Sequence, residues 1–285
     1  MRVVVFGGSG MLGSMAVRVL SADAALEVVA VGRPAVDAET ASAEELARAL
    51  DGAAWAINAI GVIKTHIRDA ISGDVTRAVR VNALFPHALA EAARRTGTRV
   101  IQIATDCVYS GERGRYVEAD LHDARDVYGK TKSLGEVRAP HVTHLRSSIV
   151  GPERRSHTSL LDWFRQQPPR AAIQGYTNHH WNGVTTLHFA KLCLALIREA
   201  VPAPALQHVV PADAVTKDHL LHVFASAYGR TDVTIAPTGA PQAIDRTIAT
   251  SAPAVNHALW RAAGYASPPT IEAMVQEMAE ETRGL

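Results

Sequence analysis

The chain has 285 residues, with 29 Lys plus Arg against 28 Asp plus Glu and a net charge of +1. This length suits one large domain, or a domain carrying a smaller lobe, with a sizeable core. The charge balance offers neither the basic surplus of a nucleic-acid binder nor an acidic tail, and no window approaches the ~20 apolar residues of a membrane span.

Taken in order, short apolar runs alternate with helical patterns. Arg2–Phe6 reads as a strand, and Met11–Leu20 as a helix with Leu12, Met15, Ala16 and Val19 on one face. Glu27–Val31 is a second strand. Ser42–Leu50 is a short helix, with Ser42 as N-cap and Glu45 completing a capping box. Trp55–Ile60 is a third strand, 74–96 one long helix ended by Gly97, and Arg99–Ala104 a fourth strand. A helix over 127–138 and a strand over 143–146 follow. The strands are apolar on both faces, as in a parallel sheet covered by helices on both sides. The expected fold is α/β: a Rossmann-type doubly wound sheet over 1–150, with a smaller mixed α/β substrate lobe over 151–285, parts of which can pack back on the sheet. In that second part, helical patterns lie at 186–199, 217–228, 255–263 and 270–281, and apolar runs at 206–210 and 233–236.

Neither metal nor disulfide chemistry is indicated. Cys107 and Cys193 are far apart and fit no zinc or disulfide spacing, so a reducing cytoplasm is expected. Val3–Phe6 is too short for a signal-peptide core. His179 and His180 are adjacent and point apart. His219 and His222 could share a helix face, but they lack the third ligand that HExxH-type sites need.

Two constellations carry chemistry. The first is Gly7-Gly8-Ser9-Gly10-Met11-Leu12-Gly13, a Gly-x-x-Gly-x-x-Gly run between the first strand and the first helix. Gly7 permits a tight turn, Gly10 clears room for a pyrophosphate, and Gly13 allows close helix–sheet packing. The helix N-terminus, from Met11 and Leu12, presents free N–H groups to the anion. At the end of the second strand stands Arg33, where NAD-binding versions tend to carry an acid. A guanidinium there offers a fork for a 2′-phosphate, so NADP(H) is expected in preference to NAD(H). Asp37 lies too far along to replace that acid.

The second constellation is Tyr128-Gly-Lys-Thr-Lys132. It places a phenol and an ammonium one helical turn apart, on one face. A free phenol titrates near ~10, and a neighbouring cation lowers that value. Thr105, at the end of the fourth strand, adds a hydroxyl where open α/β sheets hold ligands.

At these residues the chain resembles the extended short-chain dehydrogenase/reductases. The resemblance rests on the glycine loop, Asn58-Ala59, Asn82, Thr105-Asp-Cys-Val-Tyr109, Tyr116-Val-Glu118-Ala-Asp120, Tyr128-Gly-Lys-Thr-Lys132, Gly135-Glu136 and Arg146-Ser-Ser-Ile-Val-Gly-Pro152. Among these enzymes it is nearest the dTDP-4-dehydrorhamnose reductase branch. It differs in carrying Cys107 for an aromatic residue, in lacking a proline shortly before Tyr128, and in a lobe that matches weakly. The resemblance implies a catalytic triad of Thr105, Tyr128 and Lys132, with Lys132 also on the nicotinamide ribose. It implies that Asn58, Ala59, Ile60 and Asn82 line the cofactor groove and that Ser148 lies near the nicotinamide. Tyr109, Arg154, Arg155, Trp181, Asn182 and Arg246 would meet a nucleotide-sugar substrate.

The implied activity is NADPH-dependent reduction of a keto group, at C4, of a nucleotide-linked deoxysugar. The resemblance leaves room for a homodimer. Two alternatives remain: an epimerase or dehydratase of the same fold, and a non-catalytic NADP-binding subunit resembling the methionine adenosyltransferase β subunit. Dehydratases carry Asp-Glu directly after the Thr, where this chain has Asp106-Cys107.

Overall fold

A computed structural model describes residues 1–153, 157–199 and 204–283. Its first half is built from β1 (Arg2–Phe6), α1 (Met11–Ser21), β2 (Glu27–Val31), α2 (Ala43–Ala49), β3 (Trp55–Asn58), α3 (Ser72–Ala78), α4 (Phe85–Thr96), β4 (Arg99–Ala104), α5 (Val127–Leu134) and β5 (Val142–Arg146). The second half adds β6 (Ile149–Val150), α6 (Leu160–Arg165), β7 (Ala172–Tyr176), β8 (His179–Trp181), β9 (Val184–Thr185), α7 (Thr186–Glu199), β10 (Leu206–His208), β11 (Val215–Thr216), α8 (Lys217–Ala227), β12 (Thr234–Thr238), β13 (Ile244–Asp245), α9 (Pro253–Ala262) and α10 (Ile271–Glu281).

The main sheet has six strands in the order β10-β5-β4-β3-β1-β2, all parallel. From β1 the chain first builds outward to β2, then crosses back to β3 on the other side. The order therefore reverses at β1 and β3, and a crevice opens beyond their carboxyl ends. Alternation along β1 fixes the two faces. Val3 and Val5 join the cluster with Leu12, Met15, Leu20 and the α7 residues Leu187 and Phe189. Val4 and Phe6 join the cluster with Leu46, Leu50, Phe85 and Leu89. Each β1 side chain of these four is fully buried, as a strand sandwiched between helices requires.

Local chemistry sets the element ends. Ser42 accepts from the Glu45 N–H at 3.2 Å, while the Glu45 carboxylate accepts from the Ser42 N–H at 2.8 Å, so the expected capping box is present. Gly97, at φ 73°, ends α4 in the left-handed conformation. The long helix expected over 74–96 has an interior break. A π-helical segment, Val79–Leu84, joins α3 to α4. Pro86 has no N–H for the Asn82 carbonyl four residues back, and its ring crowds that oxygen, so the turn widens there. The helix expected over 127–138 ends at Leu134.

Residues after 150 serve both layers. α7 packs along α1, and β10 pairs with β5 at the edge of the main sheet, Leu206 opposite His144 and His208 opposite Arg146. Outside the main sheet lie three small ones: β11-β8-β13, the β12-β7 pair and the β6-β9 pair. The first sits over the segment following β4. There the Asp245 N–H donates to the Gly111 carbonyl at 2.7 Å, and Arg246 Nε donates to the Tyr109 carbonyl at 2.9 Å.

Candidate active site

The glycine loop leaves β1 through Gly7, whose φ of 80° favours glycine. A Cβ on Gly13 would come within 2.1 Å of the Gly7 carbonyl oxygen, so a side chain there would prise α1 from the loop. Gly10 N–H donates back to Gly7 O at 2.9 Å, closing the turn. The first N–H groups of α1 have no partner within the helix and face outward as anion donors. Leu12, by contrast, buries its side chain in the core, so only its backbone can serve a phosphate.

One continuous hollow runs from this loop along the end of β2 and past the end of β3. Its walls include Gly7, Ser9, Gly10, Arg33, Ala59 and Ile60. Arg33 is exposed on this wall, as its position after β2 suggested. Asp37, read from sequence as too distant, lies on the same wall, with Glu39 and Arg77. The loop after β2 folds back on itself: Val36 N–H donates to Gly32 O at 3.1 Å, and Asp37 caps the Glu39 N–H at 3.0 Å. Arg77 Nε bonds Glu39 at 3.0 Å, which leaves Arg33 and Arg77 as two cations near one acid pair. A tight glycine turn and a helix N-terminus fit the pyrophosphate of a dinucleotide, and the far end of the hollow sets two cations beside two acids.

Asn58 and Asn82 stand behind the groove wall, not on it. Asn58 is fully buried: its Nδ2 donates to Gln102 Oε1 at 2.9 Å and its Oδ1 accepts from Ile60 N–H at 3.1 Å. Asn82 Oδ1 accepts from Val62 N–H at 2.8 Å, and its Nδ2 donates to Val62 O at 2.9 Å and Thr131 Oγ1 at 3.3 Å. It thus ties the loop after β3 to α5. A Cβ on Gly135 would fall 2.0 Å from the Asn82 carbonyl oxygen, so glycine there lets the end of α5 seat against the π-helical segment.

Thr105 follows β4, and its Oγ1 accepts from the Cys107 N–H at 3.2 Å while donating to Asp106 Oδ1 at 3.2 Å. Tyr128 lies in the first turn of α5, which Asp126 caps by accepting the Gly129 N–H at 2.8 Å. A Cβ on Gly129 would meet Cys107 O at 2.3 Å, so this glycine brings the Tyr128 turn against the Thr105–Cys107 turn. Burial, with the nearby Cys107, pushes the Tyr128 phenol above its ordinary range, and a hydrogen bond with the Thr105 hydroxyl pulls it back down. Lys132 Nζ donates to the Ile103 carbonyl at 3.0 Å. Burial brings its pKa down to about 8, with Glu136 opposing. Burial holds the Cys107 thiol up at about 12, so it is uncharged at neutral pH.

The lobe residues divide. Tyr109 is fully buried: its hydroxyl accepts from Arg146 Nη1 at 2.6 Å and donates to Val117 O at 3.1 Å, and its ring stacks on Tyr116 at 4.3 Å. It is buried in the core, with its hydroxyl spent on Arg146 and Val117. Asn182 spends both ends of its amide on Ile248, at 2.7 and 2.9 Å, and works as a clamp between lobe segments. Trp181 is buried, with Nε1 donating to Ser148 Oγ at 2.8 Å, so the two residues expected at the nicotinamide and substrate ends are joined. Arg246 donates through Nε to the Tyr109 carbonyl at 2.9 Å, and its charge acts on Asp106 and Cys107. Arg154 and Arg155 lie outside the described residues.

Sequence reasoning missed Lys217 altogether. It opens α8, its charge interacts with those of Asp106, Cys107 and Arg246, and its ammonium lies 5.4 Å from the Trp181 ring centroid. No motif flags it. The only signal was Thr216, an N-cap that marks a helix start beside a cation. Among the described residues no group of three or more His, Cys, Asp or Glu could hold a metal ion. Among those residues, too, no helix is long and apolar enough to cross a membrane.

Comparison with known proteins brings the site into a family. The model of a family described as RmlD substrate binding domain matches residues 1–283. A dTDP-4-dehydrorhamnose reductase of Streptomyces griseus is 35% identical over 136 residues, which are 47% of this chain and 43% of that protein. The chain thus spans less than half the length of this curated relative. The fold is also that of a Bacillus anthracis dTDP-4-dehydrorhamnose reductase solved in complex with NADP (TM-score 0.80, 17% identity, covering 99% of both chains). It is similar too to MoeE5 in complex with UDP-glucuronic acid and NAD (TM-score 0.75, 19% identity, covering 99% of both chains).

Proposed function

Because the chain belongs to the RmlD substrate binding domain family, we propose that it is an NADPH-dependent reductase of the C4 keto group of a nucleotide-linked 4-keto-6-deoxyhexose. The observation that carries this reading is the meeting of Thr105 and Tyr128 where β4 and α5 touch, beside the hollow that begins at the Gly7–Gly13 loop. Gly7, Ser9, Gly10, the backbone of Met11–Gly13, Ala59 and Ile60 would hold the dinucleotide, with Arg33 at its 2′-phosphate. When bound, the reduced nicotinamide supplies hydride. Thr105 and Tyr128 would donate hydrogen bonds to the ketone oxygen, and Tyr128 would hold the proton that the reduced oxygen takes up. A phenol held above its ordinary range is protonated at neutral pH, the form that a proton donor needs. Lys132, an ammonium below about pH 8, would anchor the ribose. Ser148, held by Trp181, would border the nicotinamide.

The test is NADPH oxidation, followed by absorbance, with dTDP- and UDP-linked 4-keto-6-deoxyhexoses, the product identified by NMR. Wild type should turn over at least one of them. Tyr128→Phe should keep cofactor binding and lose about 10²–10⁴-fold in single-turnover hydride transfer. Equal rates in the two proteins would remove Tyr128 from the mechanism. Tight NADPH binding without turnover of any keto sugar would favour a regulatory binding subunit instead.

A further inference from the structure

We propose that Lys217 is the residue by which the lobe reads the sugar itself: its ammonium donates to an oxygen substituent of the hexose beside the reacting carbon. The proposal rests on the functional reading above and goes beyond it in assigning a specificity-determining residue.

Three observations place the ammonium at the sugar and not at the diphosphate. First, the charge of Lys217 is felt by Asp106 and Cys107, in the turn whose Thr105 hydroxyl acts on the Tyr128 phenol. Second, its direction is fixed by its neighbours. Lys217 is the first residue of α8, whose N-cap Thr216 accepts the His219 N–H at 3.1 Å. The strand before it, β11, pairs antiparallel with β8, Val215 opposite Trp181. The ammonium lies 5.4 Å from the centroid of the Trp181 ring, and that ring is held by its own bond to Ser148 at 2.8 Å. An aromatic face attracts an ammonium and limits where it can swing. Third, the charges around it suit a neutral polar group. The buried Asp106 and the guanidinium of Arg246, which is anchored to the Tyr109 carbonyl at 2.9 Å, both act on its charge. A donor and a carboxylate side by side can hold one hydroxyl from both directions, the ammonium donating to its oxygen and the carboxylate accepting its proton. Burial lowers the Lys217 pKa to about 8, so the group is a charged donor at neutral pH and has less water to shed than an exposed lysine.

The test compares binding of dTDP with dTDP-glucose, and UDP with UDP-glucose, by calorimetry on the full chain saturated with NADP⁺. Lys217→Met keeps the stem against Trp181 and removes the donor. Wild type should bind a sugar nucleotide more tightly than the matching diphosphate. Lys217→Met should lose about ten- to a hundredfold of sugar-nucleotide affinity, the usual worth of a hydrogen bond to a charged group. Its affinity for the bare diphosphate, its affinity for NADP⁺ and its thermal midpoint should stay at wild-type values. Equal weakening of diphosphate and sugar nucleotide would make Lys217 a phosphate ligand and overturn the proposal. Unchanged binding of both, or a wild type that does not distinguish sugar nucleotide from diphosphate, would overturn it as well. If NADP⁺-loaded wild type takes up none of the four probes, the functional reading fails and the proposal falls with it. That outcome is separate, because it shows in the wild type alone.

Discussion

Arg33 offers a guanidinium at the rim of the hollow, and its neighbours make the cofactor choice a contest of charges. Asp37 and Glu39 share the wall with it, and Arg77 is bonded to Glu39 at 3.0 Å. Replacing Arg33 with Asp removes the one fork at the end of β2 and adds a third acid. The expected outcome is a loss of NADPH affinity of about ten- to a hundredfold, roughly 1.5–3 kcal/mol for a charge-assisted contact, with NADH spared. Titrating both cofactors against wild type and Arg33→Asp checks it, and an unchanged NADPH/NADH ratio would reject the role. Single residues were legible in the sequence where backbone geometry dictates identity. Gly7 and Gly13 are such cases, since a turn at φ 80° and a 2.1 Å approach each demand glycine. Side-chain direction was not legible. Asn58, Asn82, Tyr109 and Asn182 belong to stretches that border the cleft, yet each turns inward and satisfies its polar atoms within the protein. A motif locates a residue along the chain, whereas buried hydrogen-bond demand decides where it points.

At the scale of elements, α5 is placed by glycines. Gly129 lets its first turn touch the Cys107 carbonyl, and Gly135 lets its end touch the Asn82 carbonyl. That carbonyl stands proud because Pro86 cannot donate to it, which is why one apparent helix over 74–96 contains a π-helical turn. The sequence reading overlooked it, although Pro86 was the physical cue. Gly135→Ala is expected to lift the end of α5 from its seat. It should destabilise the protein by about 1–3 kcal/mol, as overpacking does. It should also slow turnover, because Tyr128 and Lys132 ride on the same helix. A denaturant midpoint and kcat measured on the variant check both effects, and wild-type values for both would mean that the segments shift apart without consequence. The strand–helix alternation of the first half was readable because both faces of the sheet demand apolar residues. The role of 206–208 as the sheet's edge strand was not, since three residues carry no period of their own.

For the molecule as a whole, acid is the expected point of weakness. His208 Nε2 accepts from Arg146 Nη1 at 3.0 Å, and its Nδ1 donates to Ala249 O at 2.7 Å. His188 lies between Thr185 Oγ1 at 2.7 Å and Glu277 Oε2 at 3.0 Å. Burial lowers both to about 4 from an ordinary 6.5, with Arg146 adding to the effect at His208. Between those values the unfolded chain binds protons that the folded one refuses. Stability is therefore complete above about pH 6.5 and drains away as pH falls towards 4. The slope is up to about 1.4 kcal/mol per pH unit for each histidine. Urea midpoints measured from pH 7 to pH 4.5 should decline steadily, and a flat series would show that neither ring stays neutral in the folded state. Both histidines belong to the chain beyond residue 150, and so do α7 and β10, which complete the two layers of the main sheet. During synthesis, β5 must therefore wait with a bare edge until β10 at Leu206–His208 has emerged, and α1 with an uncovered flank until α7 at Thr186–Glu199 has done so. The nucleotide crevice lies entirely in the part made first, so a cofactor could meet a half-built protein and act as a template on which the later half closes.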